Sequence, residues 1–206
     1  MQLYAYALSG HSHRVRLFLS LLGLEHTLVD VDLRAGAHKT PEHLARNPFG
    51  QVPVLVDGDT TIADSTAILV YLARKHGATD WLPEAPAAAA AVQRWLSVAS
   101  NEVANSVAVA RAIVLFDRPA DPREPIARAH ALLAKMDAHL AGRDWLATDA
   151  PTLADVALYA YVARAPEGNV DLAGYAQVRA WLQRVEALPR FVPFAETPIG
   201  LSAVAA

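Results

Sequence analysis

The chain contains no cysteine among its 206 residues. That excludes disulfides, Cys-ligated zinc, iron–sulfur clusters, a cysteine nucleophile and any CxxC redox pair. It also has no positive excess: 18 Lys and Arg stand against 21 Asp and Glu, a net charge of −3. The basic residues alternate with acids and form no run, so no nucleic-acid partner is expected. No uncharged apolar run reaches the roughly 18 residues that mark a transmembrane helix, so no membrane partner is expected. GxGxxG and P-loop motifs are missing. The opening MQLYAYALSGHSHRVR places its basic residues after a short apolar run, which is not the order of a signal peptide. With neither export signal nor disulfide, a cytoplasmic location is the expectation. The eight histidines do not build a metal site: His11-x-His13 supplies two ligands at most, with no carboxylate at metal spacing. No metal is expected.

Glycine is scarce, with 10 residues, and alanine abundant, which points to helix-dominated structure with little sheet. The pattern changes near residues 78–86. Before it, strands and helices alternate. Gln2–Ala5 reads as a strand. Ser9 to Gly23 reads as a helix, with Val15, Phe18, Leu19 and Leu22 at i, i+3, i+4 and i+7 and Gly23 at the C-terminal cap. Thr27–Leu33 reads as a strand. Thr40–Asn47 is a short helix with Thr40 as N-cap and Pro41 in the first turn. Pro53–Val56 and Thr60–Ala63 flank Asp57-Gly58-Asp59 as a hairpin, and Ser65–His76 is helical. The order β-α-β-α-β-β-α implies a small mixed sheet with helices on its faces. ATDWLPEAP, 78–86, reads as a linker. Beyond it every pattern is helical: one long helix from Ala87 to about Phe116, a second from about Glu124 to Leu140, a third opened by the capping box Thr152-Leu153-Ala154-Asp155, and a fourth over Ala176–Leu188.

Two segments carry chemistry. In Leu8-Ser9-Gly10-His11-Ser12-His13-Arg14-Val15-Arg16, hydroxyls sit where a strand gives way to a helix. A helix N-terminus has unsatisfied N–H groups and favours an anion. A serine there caps the helix, or donates to a bound anion. The second is Asn47-Pro48-Phe49-Gly50-Gln51-Val52-Pro53-Val54-Leu55 followed by Ala63-Asp64-Ser65. Val-Pro before a strand can hold a cis peptide, and Asp64-Ser65 opens another helix.

Together these segments resemble a cytosolic glutathione transferase over essentially the full length. The Ser9–Arg16 run is most similar to serine-type members, including the zeta class and related bacterial enzymes. The resemblance implies an α/β thioredoxin-like glutathione-binding domain over residues 1–77, the 78–86 linker and an all-helical C-terminal domain over 87–206. It implies glutathione as co-substrate, a small electrophile as second substrate and a homodimer. Ser9 matches the family's activating serine; Ser12 is the rival, and His11 or His13 could donate instead. A free thiol titrates near 8.5, so lowering it by about two units needs about 2.7 kcal/mol of preferential thiolate stabilisation. A hydroxyl donor at a helix N-terminus is a plausible source. Val52, presented by a cis Pro53, would pair with the cysteinyl unit. Asp64 and Ser65 match the seat of the γ-glutamyl ammonium and carboxylate, and His38, Lys39 and Gln51 match positions near the peptide's ends. The electrophile pocket is expected between the domains, with His11, Val109, Ile113, Phe116 and Tyr159 as candidates. Arg111 either faces it or lies on the surface. Asn101, Glu102 and Asn105 read as a solvated face or a dimer seam.

Three activities fit. The first is conjugation of the glutathione thiolate to an electrophile. The second is a glutathione-dependent isomerase or peroxidase in the same site, although the zeta class carries Ser-Ser-Cys where this chain has Ser9-Gly10-His11. The third is a non-catalytic binding or assembly protein, which retention of Gln51-Val52-Pro53 and Asp64-Ser65 disfavours.

Overall fold

The computed structural model describes residues 1–203. The chain forms two compact units: Met1–Thr79 with Pro189–Ala195, and Asp80–Leu188 with the residues from Glu196 onward.

In the first unit the elements are β1 (Gln2–Ala5), α1 (Gly10–Leu21), β2 (Thr27–Asp30), α2 (Pro41–Arg46), β3 (Val54–Asp57), β4 (Thr60–Ala63) and α3 (Ser65–Lys75). The order is the expected one. The sheet runs β2-β1-β3-β4. β1 and β2 are parallel, with Leu3 opposite Leu28, because α1 connects them as a crossover. β3 is antiparallel to β1, with Leu3 opposite Leu55, and β4 folds back on β3 around the Asp57–Thr60 pair. Leu3, Leu55, Phe18, Leu19, Ile68 and Leu72 are wholly buried and form much of the core between sheet and helices.

One strand is shorter than its β-branched run suggests. β2 stops at Asp30. The Val31 N–H still bonds the Ala5 carbonyl at 2.9 Å, but the Asp32 carboxylate then accepts the N–H groups of Arg34 and Ala35 at 2.9 and 3.0 Å. Such an Asx turn competes with the ladder and ends it. A 3₁₀ turn, Ala37–Lys39, follows. The short segment Pro189–Ala195 completes the unit. Phe194 is buried and stacks on His13 with ring centroids 4.8 Å apart.

The second unit holds α4 (Pro86–Val98), α5 (Val107–Leu115), α6 (Arg123–Leu140), α7 (Leu153–Ala163) and α8 (Ala176–Glu186). The single long helix expected over 87–116 is therefore broken. A π turn occupies Ala99–Val103. Asn105 Nδ2 donates to the Asn101 carbonyl at 3.0 Å and Ser106 Oγ donates to the Glu102 carbonyl at 2.5 Å. Short polar side chains that bond the preceding turn compete with the helix ladder, and here they coincide with its interruption. By length and composition alone Pro86–Leu115 could cross a membrane, yet 44% of its most apolar stretch is buried within the fold. Val92, Leu96, Ala99, Val103 and Val107 are core residues of this unit.

α7 starts at the expected capping box, Thr152 with Asp155. The Asp155 carboxylate also accepts from the Leu146 N–H at 3.1 Å and the Trp181 indole N–H at 2.8 Å. A fully buried carboxylate needs such donors.

Candidate active site

The sheet topology gathers three chain reversals at one end. β1 leaves the sheet after Ala5 toward α1. β3, antiparallel to it, enters at Val54, and Tyr4 pairs with Val54. β4 leaves after Ala63, which pairs with the same Val54. Ser9, Val52-Pro53 and Asp64-Ser65 thus belong to three connections at the same end of one sheet.

The first connection is locked by two serines. Ser9 is the N-cap of α1 and its hydroxyl accepts the Ser12 N–H at 3.2 Å. Ser12 is buried and its own hydroxyl accepts the Tyr6 N–H at 3.2 Å. The Ser9 hydroxyl is half-buried and its hydrogen takes no part in the cap.

The second connection contains a cis Val52–Pro53 peptide. The Gln51 carbonyl before it is held from two sides, by Asn47 Nδ2 at 3.0 Å and by His43 Nε2 at 3.0 Å. Both side chains are buried. Gly50 has φ +58°, and a Cβ there would stand 2.9 Å from the His38 carbonyl and 2.8 Å from Lys39 Nζ. Only glycine tolerates that conformation and that approach. It brings the His38-Lys39 turn against Gly50-Gln51. Burial, with Lys39 and His43 nearby, holds the His38 ring below its ordinary pKa.

The third connection is strained. Asp64 has φ 74° and ψ 125°, a region that costs a non-glycine residue about 1–3 kcal/mol and clusters at functional sites. Its Oδ1 accepts the Thr66 and Ala67 N–H groups at 2.8 and 3.0 Å and the Thr66 hydroxyl at 2.5 Å. Oδ2 makes none of these bonds. Burial raises the Asp64 pKa, but these bonds and the Arg14 charge outweigh it and hold the carboxyl net below its usual value. Ser65 is buried at the start of α3. Its Oγ accepts from Arg14 Nη1 at 3.0 Å and lies 3.4 Å from His11 Nδ1. The His11 pKa is pushed down to about 3, chiefly by burial and then by Arg14, against a smaller opposing pull from Asp64. The ring is neutral at physiological pH.

Family models for "Glutathione S-transferase, N-terminal domain" and "Glutathione S-transferase, C-terminal domain" match residues 8–75 and 109–189. A maize (Zea mays) protein named glutathione S-transferase 3 is 39% identical over 204 residues, covering 93% of this chain and 91% of that one. The chain belongs to the glutathione S-transferase family. A Rhizobium meliloti protein named maleylacetoacetate isomerase is 41% identical over 181 residues, covering 83% of this transferase-family chain and 84% of its own. The crystal structure of a glutathione S-transferase from Pseudomonas fluorescens superimposes with a TM-score of 0.89 at 34% identity, covering 95% and 98% of the two chains.

Within the first unit of this transferase-family protein, Ser9, Ser12, His38, Gln51, Val52, Pro53, Asp64 and Ser65 all lie on the three connections or against them. His11, taken from sequence as an electrophile contact, sits beside Ser65. In the second unit, Val109 is half-buried on α5 and Phe116 caps it, with the Arg118 guanidinium 5.4 Å over the Phe116 ring. Tyr159 is buried and donates to Glu186 at 3.0 Å. Arg111 does not lie on the surface: it is buried in an ion pair with Glu167 at 2.7 Å.

Sequence reasoning missed Arg14, His43 and Asn47. Arg14 carried a readable signal, since it occupies the apolar stripe of α1 one turn before Phe18. For His43 no signal existed, because nothing local distinguishes a bracing histidine from a surface one.

Proposed function

We propose that this protein activates the thiol of glutathione and conjugates it to a small electrophile. The observation that carries the reading is the convergence of three connections at one sheet end: a donor hydroxyl on a helix N-terminus, a backbone edge before a cis proline, and an acidic-Ser pair on a second helix N-terminus. Glutathione has complementary parts in matching number. Its thiol meets Ser9, its cysteinyl amide meets the Val52 backbone, and its γ-glutamyl ammonium and carboxylate meet Asp64 and Ser65. His38, Lys39 and Gln51 take the remaining carboxylate.

Ser9 acts as a hydrogen-bond donor to sulfur rather than as a nucleophile. The α1 dipole supports the same anion. Ser12 is the weaker candidate because its hydroxyl is engaged with Tyr6 and buried. Once the thiolate forms, catalysis lies in holding both reactants together. The reaction needs reduced glutathione, which the cytosol maintains, so a cytoplasmic enzyme fits the reading. We further propose a homodimer. Phe49 stands 80% exposed on the connection before Gln51, an aromatic of the kind that anchors an interface.

The test compares Ser9→Ala with Ser12→Ala, following the thiolate absorbance of bound glutathione against pH. Ser9→Ala should raise the thiol pKa and lower kcat/KM about tenfold to a hundredfold, the range for a hydrogen bond to a charged group. Ser12→Ala should mainly lower stability. If neither variant moves the titration, the serine mechanism is wrong. A glutathione-dependent isomerisation is the second reading, favoured by the likeness to the Rhizobium protein; cis-to-trans conversion of maleylacetoacetate without net glutathione consumption separates it. A peroxidase reaction would instead consume glutathione with a hydroperoxide. Failure to bind millimolar glutathione would favour a non-catalytic assembly role.

A further inference from the structure

Arg14 is fully buried in α1, and α1 packs on α3. A guanidinium is expensive to bury unless its surroundings use the charge. Its Nη1 donates to Ser65 Oγ at 3.0 Å, across 51 residues of sequence.

A serine hydroxyl has one hydrogen and two lone pairs, and the hydrogen rotates to suit its neighbours. Arg14 occupies one lone pair of Ser65, so the hydroxyl hydrogen must point elsewhere. His11 Nδ1, 3.4 Å away, is within reach and belongs to a neutral ring. Beside this arrangement stands Asp64, whose Oδ2 makes none of the capping bonds. The start of α3 therefore presents a cationic, hydroxyl-donating half and an anionic half. That pairing matches the carboxylate and ammonium of an α-amino acid.

We propose that Arg14 is a positioning residue for the γ-glutamyl carboxylate: by donating to Ser65 Oγ it directs the Ser65 hydrogen toward the bound carboxylate and places a fixed positive charge behind it. The inference rests on the glutathione reading above. In the ligand-free protein His11 Nδ1 takes the Ser65 hydrogen; on binding, the carboxylate replaces it. His11, being uncharged, does not compete with Ser65 as a cation.

The experiment is titration calorimetry of the full-length protein with two peptides: glutathione, and 4-aminobutyryl-cysteinyl-glycine, which lacks only the γ-glutamyl α-carboxylate. Wild type should prefer glutathione by about tenfold or more, as expected for a charge-assisted hydrogen bond. Arg14→Met should reduce that preference to less than about twofold while the pH titration of the bound thiol stays in place. Ser65→Ala added to Arg14→Met should change the preference little further, because the two side chains act as one unit. Arg14→Lys, which retains the charge but not the fixed fork, should keep part of the preference. Equal weakening of both peptides by Arg14→Met would mean that Arg14 only holds the helices together, and the proposal would be overturned. Should Arg14→Met not fold, Arg14→Lys decides: a reduced preference supports the proposal and an unchanged one overturns it. A wild-type protein that binds neither peptide would overturn the glutathione reading itself, a result distinct from loss of the preference alone.

Discussion

Ser9 and Ser12 are three positions apart and chemically identical, yet they face different tasks. One hydroxyl caps α1 and keeps its hydrogen; the other is buried against the Tyr6 amide. Nothing in the consecutive residues separated them. Asp64-Ser65 and Gln51-Val52-Pro53 were legible because capping and X-Pro chemistry are local. Arg14 and His43 were not, because the groups they hold, Ser65 and the Gln51 carbonyl, come from other elements. His11 yields a prediction at this scale. Its folded-state pKa is depressed from 6.5 to about 3, so between those values the unfolded chain binds more protons than the folded one. The stability it contributes is therefore present above pH 6.5 and is lost as pH falls toward 3. His11→Gln should flatten the decline of unfolding free energy over that window, as followed by urea denaturation at a series of pH values. An unchanged slope would place the acid sensitivity elsewhere.

At the scale of elements, periodicity and caps located most helices and strands, and missed where side-chain bonding interrupts them. The π turn at Ala99–Val103 splits a stretch whose apolar pattern reads as continuous, because Asn101, Asn105 and Ser106 reveal their backbone bonds only when folded. The short turn Ala165–Gly168 was equally silent. It carries Glu167, which pairs with Arg111 of α5 and also accepts the Thr197 N–H at 3.0 Å. Two turn glycines are sterically required around it: a Cβ on Gly168 would lie 2.5 Å from the Arg111 backbone nitrogen, and one on Gly200 2.6 Å from the Glu167 carbonyl. Glu167→Gln leaves a buried guanidinium without its anion and should cost about 3–5 kcal/mol in chemical denaturation. Replacing both partners, Arg111→Met with Glu167→Met, should recover part of that loss, since the buried Arg111 charge goes with its anion, while Arg164, 3.6 Å from Glu167, loses that anion and keeps Glu196 at 3.9 Å. A double variant as unstable as the single one would show that the pair holds packing rather than charge.

At the scale of the whole molecule, each unit encloses its own core, and Pro189–Ala195 belongs to the first although its sequence follows the last helix. Phe194 shows why: its ring is buried against His13. Assembly is the other question at this scale. Phe49→Ser should shift a homodimer toward monomer in sedimentation equilibrium without loss of helix signal by circular dichroism; unchanged mass would remove Phe49 from the interface. By itself the sequence determined the division into a mixed sheet-and-helix half and a helical half, the family and the three chemically marked connections. These rest on periodicity, caps and turn residues, which act over a few neighbouring positions. The tertiary structure alone decided which serine keeps a disposable hydrogen, which arginine stands behind Ser65, where the long helix breaks and which unit the tail completes. Those depend on groups far apart in the chain, brought within 3 Å or so only by burial and β-pairing, and no local pattern encodes such a distance.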